Sequence, residues 1–378
     1  MAGIYIHIPF CKKACHYCNF HFSTQTEYIP AFTQSLLDEI ELQKYYLQEP
    51  IETLYFGGGT PSLLSIKELK LIVQSIKKHY KLNHEIEFTL EVNPDDVTET
   101  MAESWLAVGV NRLSMGIQSF QAHALEWMNR VHSLQQAHQA IQIVKKVGFK
   151  NISADLIYGT PHVRDDELKA DIDQLLDNNI NHISCYALTV EEKTALFSMI
   201  EKNKIDAIDI PQQARQFDIV VNKLEAAGFE HYEISNFAMP GFRSKHNSNY
   251  WNQIPYLGLG PSAHSYNRQQ RQWNIANNQL YIQSIKNRVV PFEIENLTLA
   301  QQFNEYMMIS LRKSEGFSMS YIKTFFGETF WEHCQPLIKK FEKLNYIKAT
   351  QDGFTLQKEA KFLADGIACD FFWMEGSC

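Results

Sequence analysis

Three cysteines near the start of the chain are the residues whose spacing carries the most specific chemistry. Cys11, Cys15 and Cys18 follow one another in a C-x3-C-x2-C pattern, directly after a short apolar run. A structural zinc ion usually takes four protein ligands, and a [4Fe–4S] cluster has four irons to ligate. Three thiolates would therefore leave one iron open to a small molecule. The pattern favours an iron–sulfur cluster with an open coordination site.

Two other interpretations of these cysteines stay open at this point. Zinc could be bound if His16 or His21 supplied a fourth ligand, or the cysteines could be buried thiols that are neighbours by chance. Disulfide bonds are disfavoured because nothing marks the chain as secreted. The other cysteines of the chain are not expected to ligate the same centre; they are Cys185, Cys334, Cys369 and Cys378.

Composition excludes several classes of function. The chain has 378 residues, 45% of them hydrophobic, which is enough to bury a sizeable core. Its net charge of −8 gives no electrostatic footprint for nucleic acid. The first ten residues lack the basic region of a signal peptide, and no apolar run approaches the ~18 residues of a transmembrane span. We expect a soluble cytoplasmic protein that binds no nucleic acid and has no transmembrane segment, although peripheral membrane contact is compatible with the sequence.

The strands and helices that the sequence predicts must position the cysteine loop. Six segments read as strands, and helical patterns separate them, which favours parallel β/α units and a barrel or partial barrel. The chemistry of such folds lies at the carboxyl ends of the strands, where the cysteine loop, a glycine run and several polar residues fall. The predicted strands are Gly3–Pro9, Thr53–Phe56, Glu87–Val92, Arg112–Ile117, Asn151–Tyr158 and His182–Leu188.

The pattern changes near Pro291. Helical stretches are followed by a predicted hairpin over Tyr346–Leu356 and a final helix, which suggests a small winged-helix-like domain. From Thr298 to the end there are nine Lys or Arg and ten Asp or Glu, so this domain lacks the positive charge that DNA binding requires. We expect it to pack on the barrel or to cover a substrate. The predicted domains are 1–240, a connecting region 241–290, and 291–378.

Two strand ends suit a small ligand. The glycines at 57–59 would let a ligand approach the backbone closely, because no side chain intervenes. Glu91 ends the third strand, and its carboxylate can accept hydrogen bonds from hydroxyl or ammonium groups. An ordinary tight turn and a strand-end salt bridge are the alternative interpretations of these two features. Gln118, Arg130 and Asp155 are individually ordinary polar residues.

The motifs YIHIPFC, YFGGGTPSLL, LEVNPDD, MGIQSF, NRVH and DLIYGTP together resemble the coproporphyrinogen-oxidase-like branch of the radical S-adenosylmethionine (SAM) superfamily. The resemblance implies a partial (β/α)6 barrel with a C-terminal α-helical domain. It also implies a [4Fe–4S] cluster on the three cysteines, whose open iron chelates SAM and whose electron splits it into methionine and a 5′-deoxyadenosyl radical. Tyr5, Gly58 and Glu91 would contact the cluster-bound SAM. Positions that match oxidase residues around a second SAM are Tyr17, Gly59, Thr60, Gln118, Arg130, Asp155 and Ala187.

This branch contains both an oxidase and the haem chaperones called HemW. The oxidase has a fourth cysteine two residues after the third, where this chain has Phe20, and it has a longer segment before the cysteine loop. The sequence HNSNYW fits the HNxxYW motif of HemW proteins, which is associated with haem binding; its residues are His246, Asn247, Tyr250 and Trp251. An imidazole can ligate haem iron, and the two aromatic rings offer flat faces to a porphyrin. In the alternative interpretation His246 caps a turn in a packed loop.

Three functions follow from these features. The first is a SAM-binding haem chaperone, with haem or another porphyrin as cargo, haem-accepting proteins as partners and an electron donor. The second is an enzyme, the oxygen-independent coproporphyrinogen III oxidase, which converts two propionates to vinyl groups. The third is a zinc-binding structural protein. Phe20 and the HNSNYW motif favour the first over the second, and whether SAM is cleaved is left open.

Overall fold

The computed structural model describes residues 1–374, and its largest element is a twelve-stranded sheet. All six predicted strands are present, with ends that differ by a few residues from the prediction. They lie side by side in chain order and are parallel. These strands are β1 (Ala2–Ile8), β2 (Ile51–Gly58), β3 (Leu82–Val92), β4 (Arg112–Gln118), β5 (Asn151–Tyr158) and β6 (His182–Ala187).

Helices connect the parallel strands and cover one face of the sheet. Their apolar sides pack against strand residues such as Ile4 and Ile6, which are fully buried. Local sequence fixes some helix starts: Ser65 and Ser133 each form a capping box with the residue three positions later. The helices are α1 (Ile29–Leu42), α2 (Ile66–His79), α3 (Glu99–Val108), α4 (Ala122–Trp127), α5 (Leu134–Val147) and α6 (Asp165–Asp177).

Six short strands that the sequence analysis did not predict extend the sheet at both edges. β8 pairs antiparallel with β6 on one side, and β9 pairs parallel with β1 on the other. As a result β1, which delivers the cysteine loop, is hydrogen-bonded on both sides. The elements of this region are α7 (Ala195–Glu201), α8 (Ile210–Ala226), β7 (Glu230–Glu233), β8 (Asn236–Ala238), α9 (Lys245–Trp251), β9 (Tyr256–Leu259), β10 (His264–Tyr266), β11 (Gln270–Asn274), α10 (Asn278–Lys286) and β12 (Phe292–Asn296).

The remaining chain forms helices around a three-stranded antiparallel sheet with its own core, as the winged-helix-like prediction requires. The predicted hairpin is present and turns at Thr350–Gly353. Phe303, Phe317 and Phe371 are fully buried at its centre. Its elements are α11 (Leu299–Arg312), β13 (Phe317–Ser318), α12 (Met319–Tyr321), which continues as a π-helical turn over Ile322–Phe326, α13 (Glu328–Lys343), β14 (Ile347–Ala349), β15 (Gly353–Leu356) and α14 (Ala364–Asp370).

Candidate metal and cofactor site

The loop after β1 brings the three predicted cysteines together. Cys11, Cys15 and Cys18 are partly exposed, and none forms a disulfide with another cysteine of residues 1–374. Burial, helped by the neighbouring thiols of Cys15 and Cys18, raises the pKa of Cys11 to about 11, although the hydrogen bond from Thr60 opposes the shift. Thr60 Oγ1 lies 3.4 Å from the Cys11 sulfur and donates to it. Clustered thiols in a partly buried loop need positive charge to become thiolates, which a metal centre supplies.

The two histidines that could complete a zinc site both have other partners in the structure. His16 and His21 are engaged elsewhere: His16 Nδ1 shares a hydrogen bond with the Trp127 carbonyl at 2.7 Å, and His21 Nε2 with Asn278 Oδ1 at 2.7 Å. A cluster spreads its thiolates over separate irons, so the arrangement fits the predicted [4Fe–4S] centre.

The other cysteines lie away from this loop. Cys185 is buried in β6, Cys334 is buried in α13, and Cys369 is exposed on α14. None of the three lines the cavity beside the cysteine loop. Cys378 lies outside the described residues.

The glycine run makes a tight turn against β1. Gly58 has a φ of +107°, and a Cβ there would lie 2.5 Å from the ring of His7. At Gly59 a Cβ would lie 2.6 Å from the backbone oxygen of Phe10. The Gly59 N–H donates to the Ile8 carbonyl at 2.9 Å. Both positions therefore require glycine, and the turn packs closely against the end of β1, where the cysteine loop begins.

Glu91 lies at the end of β3, beside this turn. The Tyr55 hydroxyl donates to its Oε1 at 2.7 Å, and the Gly58 N–H donates to its Oε2 at 3.2 Å. Desolvation inside the barrel raises the pKa of Glu91 to about 7, although the Tyr55 hydrogen bond opposes the shift. Desolvation also raises the pKa of nearby Asp155 to about 6. Two carboxylates that lack full charge compensation are suited to a ligand that carries hydroxyl or ammonium groups.

Arg130 supplies a cation between the cysteine loop and the strand ends. Its Nη2 donates to Asn93 Oδ1 and to the Gly116 carbonyl, both at 2.8 Å. Its Nη1 lies 3.5 Å from the Cys15 sulfur, and its buried Nε has no partner among the described residues. Because the charge is adjacent to a thiol and one donor is unused, Arg130 favours an anionic group at this position.

One cavity of about 560 Å³ collects the predicted cluster and SAM residues. Of the residues predicted to hold the cluster or SAM, all except Tyr5 line it. Tyr5 lies below it, where its hydroxyl shares a hydrogen bond with His7 Nδ1 at 3.1 Å. The predicted residues that line the cavity are Cys11, Cys15, Cys18, Tyr17, Gly58, Gly59, Thr60, Glu91, Gln118, Arg130, Asp155 and Ala187.

Residues of the C-terminal domain complete the wall of this cavity, and the sequence analysis did not predict which residues these would be. Arg312, Phe362 and Asp365 line it, and Arg312 pairs with Asp365. Phe20, which replaces the oxidase's fourth cysteine, also lines it and is 65% exposed. The donors, carboxylates, glycine turn and thiols present therefore fit both a [4Fe–4S] cluster and SAM.

The predicted haem motif lies elsewhere. His246, Asn247, Tyr250 and Trp251 belong to α9, and none of them lines the cavity. His246 is 2% exposed, and both of its ring nitrogens are hydrogen-bonded within the protein. Arg312 lies over the Trp251 ring, 5.7 Å from its centroid. The haem role of these four residues stays a prediction, and iron ligation by His246 would require the ring to leave its present partners.

The chain matches two family descriptions. Residues 5–175 match the radical SAM superfamily, and residues 297–363 match the HemN C-terminal domain. The curated protein "Heme chaperone HemW" of Bacillus subtilis is 33% identical over 97% of this chain and 98% of its own length. The protein of the same name from Lactococcus lactis is 32% identical over 96% of this chain and 97% of its own length.

A solved structure shares the fold of the whole chain. The coproporphyrinogen III oxidase HemN of Escherichia coli superposes with a TM-score of 0.85 and covers 98% of this chain and 90% of its own. The sequences are 20% identical, so this likeness concerns the fold. No helix in residues 1–374 has both the length and the apolar character to cross a membrane.

Proposed function

The chain belongs to the HemW family of radical SAM proteins, and on this basis we propose that it is a haem chaperone, which binds haem and passes it to haem-requiring proteins. The observation that carries the proposal is the match to HemW over 97% of this chain and 98% of the Bacillus subtilis relative. The relatives bear the name of a heme chaperone, and the cavity described above contains the groups that a radical SAM protein needs.

The residues of the cavity have separate roles in this proposal. Cys11, Cys15 and Cys18 hold the [4Fe–4S] cluster that membership of the radical SAM superfamily implies. When bound, the cluster supplies an electron to SAM. Glu91 accepts hydrogen bonds from SAM, and the open backbone at Gly58 lets SAM approach. The remaining lining residues predicted for SAM bind its other groups or a second molecule.

Phe20 favours a chaperone over an oxidase. It stands where the oxidase has a fourth cysteine, and its ring is 65% exposed at the cavity wall. An exposed phenylalanine offers an apolar face for a porphyrin and no thiol. The C-terminal domain adds the Phe362 ring and the Arg312 guanidinium to the cavity wall, and Arg312 would have to leave Asp365 to meet a propionate.

Partners and location follow from the same proposal. The cargo is haem, the recipients are haem-requiring proteins, and an external electron donor reduces the cluster. The protein works in the cytoplasm, where a reducing environment preserves partly exposed thiolates and an oxygen-sensitive cluster. Peripheral contact with a membrane, where haem partitions, is compatible with this role.

Haem transfer by the anaerobically reconstituted protein tests the proposal. Haem added to the protein should give a Soret shift, and mixing with an apo-globin should move the haem to the acceptor with a second spectral change. Coproporphyrinogen III, added to the same sample with SAM and a strong reductant, should be recovered unchanged. Formation of protoporphyrinogen IX without stable haem binding would overturn the chaperone assignment.

A further inference from the structure

The side chains of β1, β2 and β3 that point into the barrel form successive layers, which run from the amino ends of the strands to the cavity at their carboxyl ends. The parallel register places Gly3 beside Thr53, and Thr53 beside Glu87. Because successive side chains of a strand alternate between faces, Tyr55 points the same way as Thr53, and Glu91 the same way as Glu87. The Gly3 layer therefore lies at the amino ends of the strands, and Glu91 lies at the opposite, cavity end.

His246 occupies the layer at the amino ends of the strands. Its Nδ1 lies 2.8 Å from Thr53 Oγ1, and its Nε2 lies 2.9 Å from the Tyr250 hydroxyl. Gly3 leaves room for the Thr53 hydroxyl that holds the ring, because a Cβ at Gly3 would lie 2.7 Å from Thr53 Oγ1. The backbone N–H of His246 donates to Glu87 Oε1 at 2.9 Å. Every polar atom of the ring is thus held by the protein.

Two tyrosines lie between this ring and the cavity. Tyr55 stacks on His246 with ring centroids 4.9 Å apart and an interplanar angle of 24°. Tyr5 stacks on the same ring at 6.4 Å and 27°. The Tyr55 hydroxyl then donates to Glu91 Oε1 at 2.7 Å. A continuous line of contacts therefore runs from α9 through Tyr55 to the cavity.

We propose that His246 is a positioning residue for Glu91: its fixed ring orients Tyr55, and the Tyr55 hydroxyl orients the Glu91 carboxylate toward SAM. This inference rests on the assignment of Glu91 to SAM in the proposed function. Desolvation lowers the pKa of His246 to about 3, so its ring stays neutral and can donate one hydrogen bond and accept the other. A haem iron could bind only after Thr53 or Tyr250 had released a ring nitrogen.

SAM affinity of the anaerobically reconstituted protein, measured by calorimetry, tests this role. His246→Ala should weaken SAM binding about tenfold, the effect of misplacing one strong hydrogen-bond acceptor. His246→Gln should recover part of the loss, because its amide still donates and accepts. Tyr55→Phe should weaken SAM binding by a similar factor. The double variant, with His246→Ala and Tyr55→Phe together, should lose little more SAM affinity than Tyr55→Phe alone, since both changes act on one carboxylate.

His182 provides a matched control. It is fully buried, its Nδ1 lies 2.7 Å from Ser153 Oγ, and its Nε2 lies 2.7 Å from the Tyr232 hydroxyl. It therefore has the same kind of partners as His246, but the hydrogen bonds that Glu91 accepts come from Tyr55 and Gly58, and neither of these is a partner of His182. His182→Ala should lower the melting temperature by an amount comparable to His246→Ala and leave SAM affinity near the wild-type value.

Two spectroscopic readouts complete the test. The change that SAM causes in the electron paramagnetic resonance spectrum of the reduced cluster should be diminished in His246→Ala and retained in His182→Ala. The haem Soret shift should persist in His246→Ala. Its loss together with unchanged SAM affinity would overturn the positioning role and restore His246 as the haem ligand.

Other results would also overturn the inference. Equal losses of SAM affinity in the His246→Ala and His182→Ala variants would mean that loosening of the barrel explains the effect. If His246→Ala does not fold, a double-mutant cycle of His246→Gln and Tyr55→Phe takes its place. In that cycle, a loss of SAM affinity in the double variant equal to the sum of the two single losses would contradict the proposed path. Haem binding by the wild-type protein tests the chaperone function separately from all of these measurements.

Discussion

The Glu91 carboxylate should make SAM binding depend on pH. With a pKa of about 7, Glu91 carries a proton in about one molecule in ten at pH 8 and in about nine in ten at pH 6. A ligand that needs the carboxylate must displace that proton. The affinity for SAM should therefore fall about tenfold between pH 8 and pH 6.

Glu91→Gln isolates this contribution. The variant keeps the shape of the side chain and removes its charge, so at pH 8 it should lose the roughly 1.5–3 kcal/mol of a hydrogen bond to a charged group, about ten- to a hundredfold in affinity. Calorimetry at pH 6, 7 and 8 should show a flatter pH profile for the variant. Titration of SAM itself is common to both proteins and cancels in the comparison. Identical pH profiles for the two proteins would refute the assignment of Glu91 to SAM.

Three further results are expected. Replacing any one of Cys11, Cys15 and Cys18 by alanine should abolish the broad iron–sulfur absorbance after anaerobic reconstitution; full iron and sulfide in all three variants would contradict the cluster assignment. Gly58→Val should abolish SAM binding seen by calorimetry, because φ is +107° there and a Cβ would lie 2.5 Å from the His7 ring; unchanged affinity would move the pocket elsewhere. Desolvation raises the pKa of Glu91 from 4.5 to about 7, so ionisation of Glu91 destabilises the fold. The melting temperature of Glu91→Gln, relative to that of the wild type, should therefore increase as pH rises from about 5 to 8. A constant difference between the two melting temperatures would show that Glu91 does not titrate in this range.

The parallel strands could be predicted from sequence because their signals are local. Each of β1 to β6 is an apolar run bounded by turn residues and followed by a helical periodicity. β11, by contrast, reads QRQWN and has no apolar run; it forms because β10 and β12 pair with it on both sides. Helix α9 likewise lacks a helical apolar pattern. The Glu87 carboxylate, far away in sequence, accepts the N–H groups of Lys245 and His246 at its start.

The residues of the candidate site also divide into those that short-range sequence patterns reveal and those that long-range packing brings together. The cysteine spacing and the glycine run are short-range patterns, and they identified one side of the cavity. The opposite wall depends on how the C-terminal domain packs, so Arg312, Phe362 and Asp365 carried no signal of their own. The HNSNYW motif was visible in sequence, but the burial of His246 and its hydrogen bond to Thr53 depend on strands more than a hundred residues away.

The position of β1 between β2 and β9 has a consequence for the order of assembly. β1 can pair with Ile51–Gly58 soon after synthesis begins, whereas Tyr256–Leu259 emerges much later. Contacts between distant segments form late, since the intervening chain must first be ordered. The strand that carries the cysteine loop therefore gains its second neighbour only when most of the chain has left the ribosome. We expect the cysteine loop to reach its final shape, and the cluster to be inserted, only after β9 has been synthesised and has paired with β1.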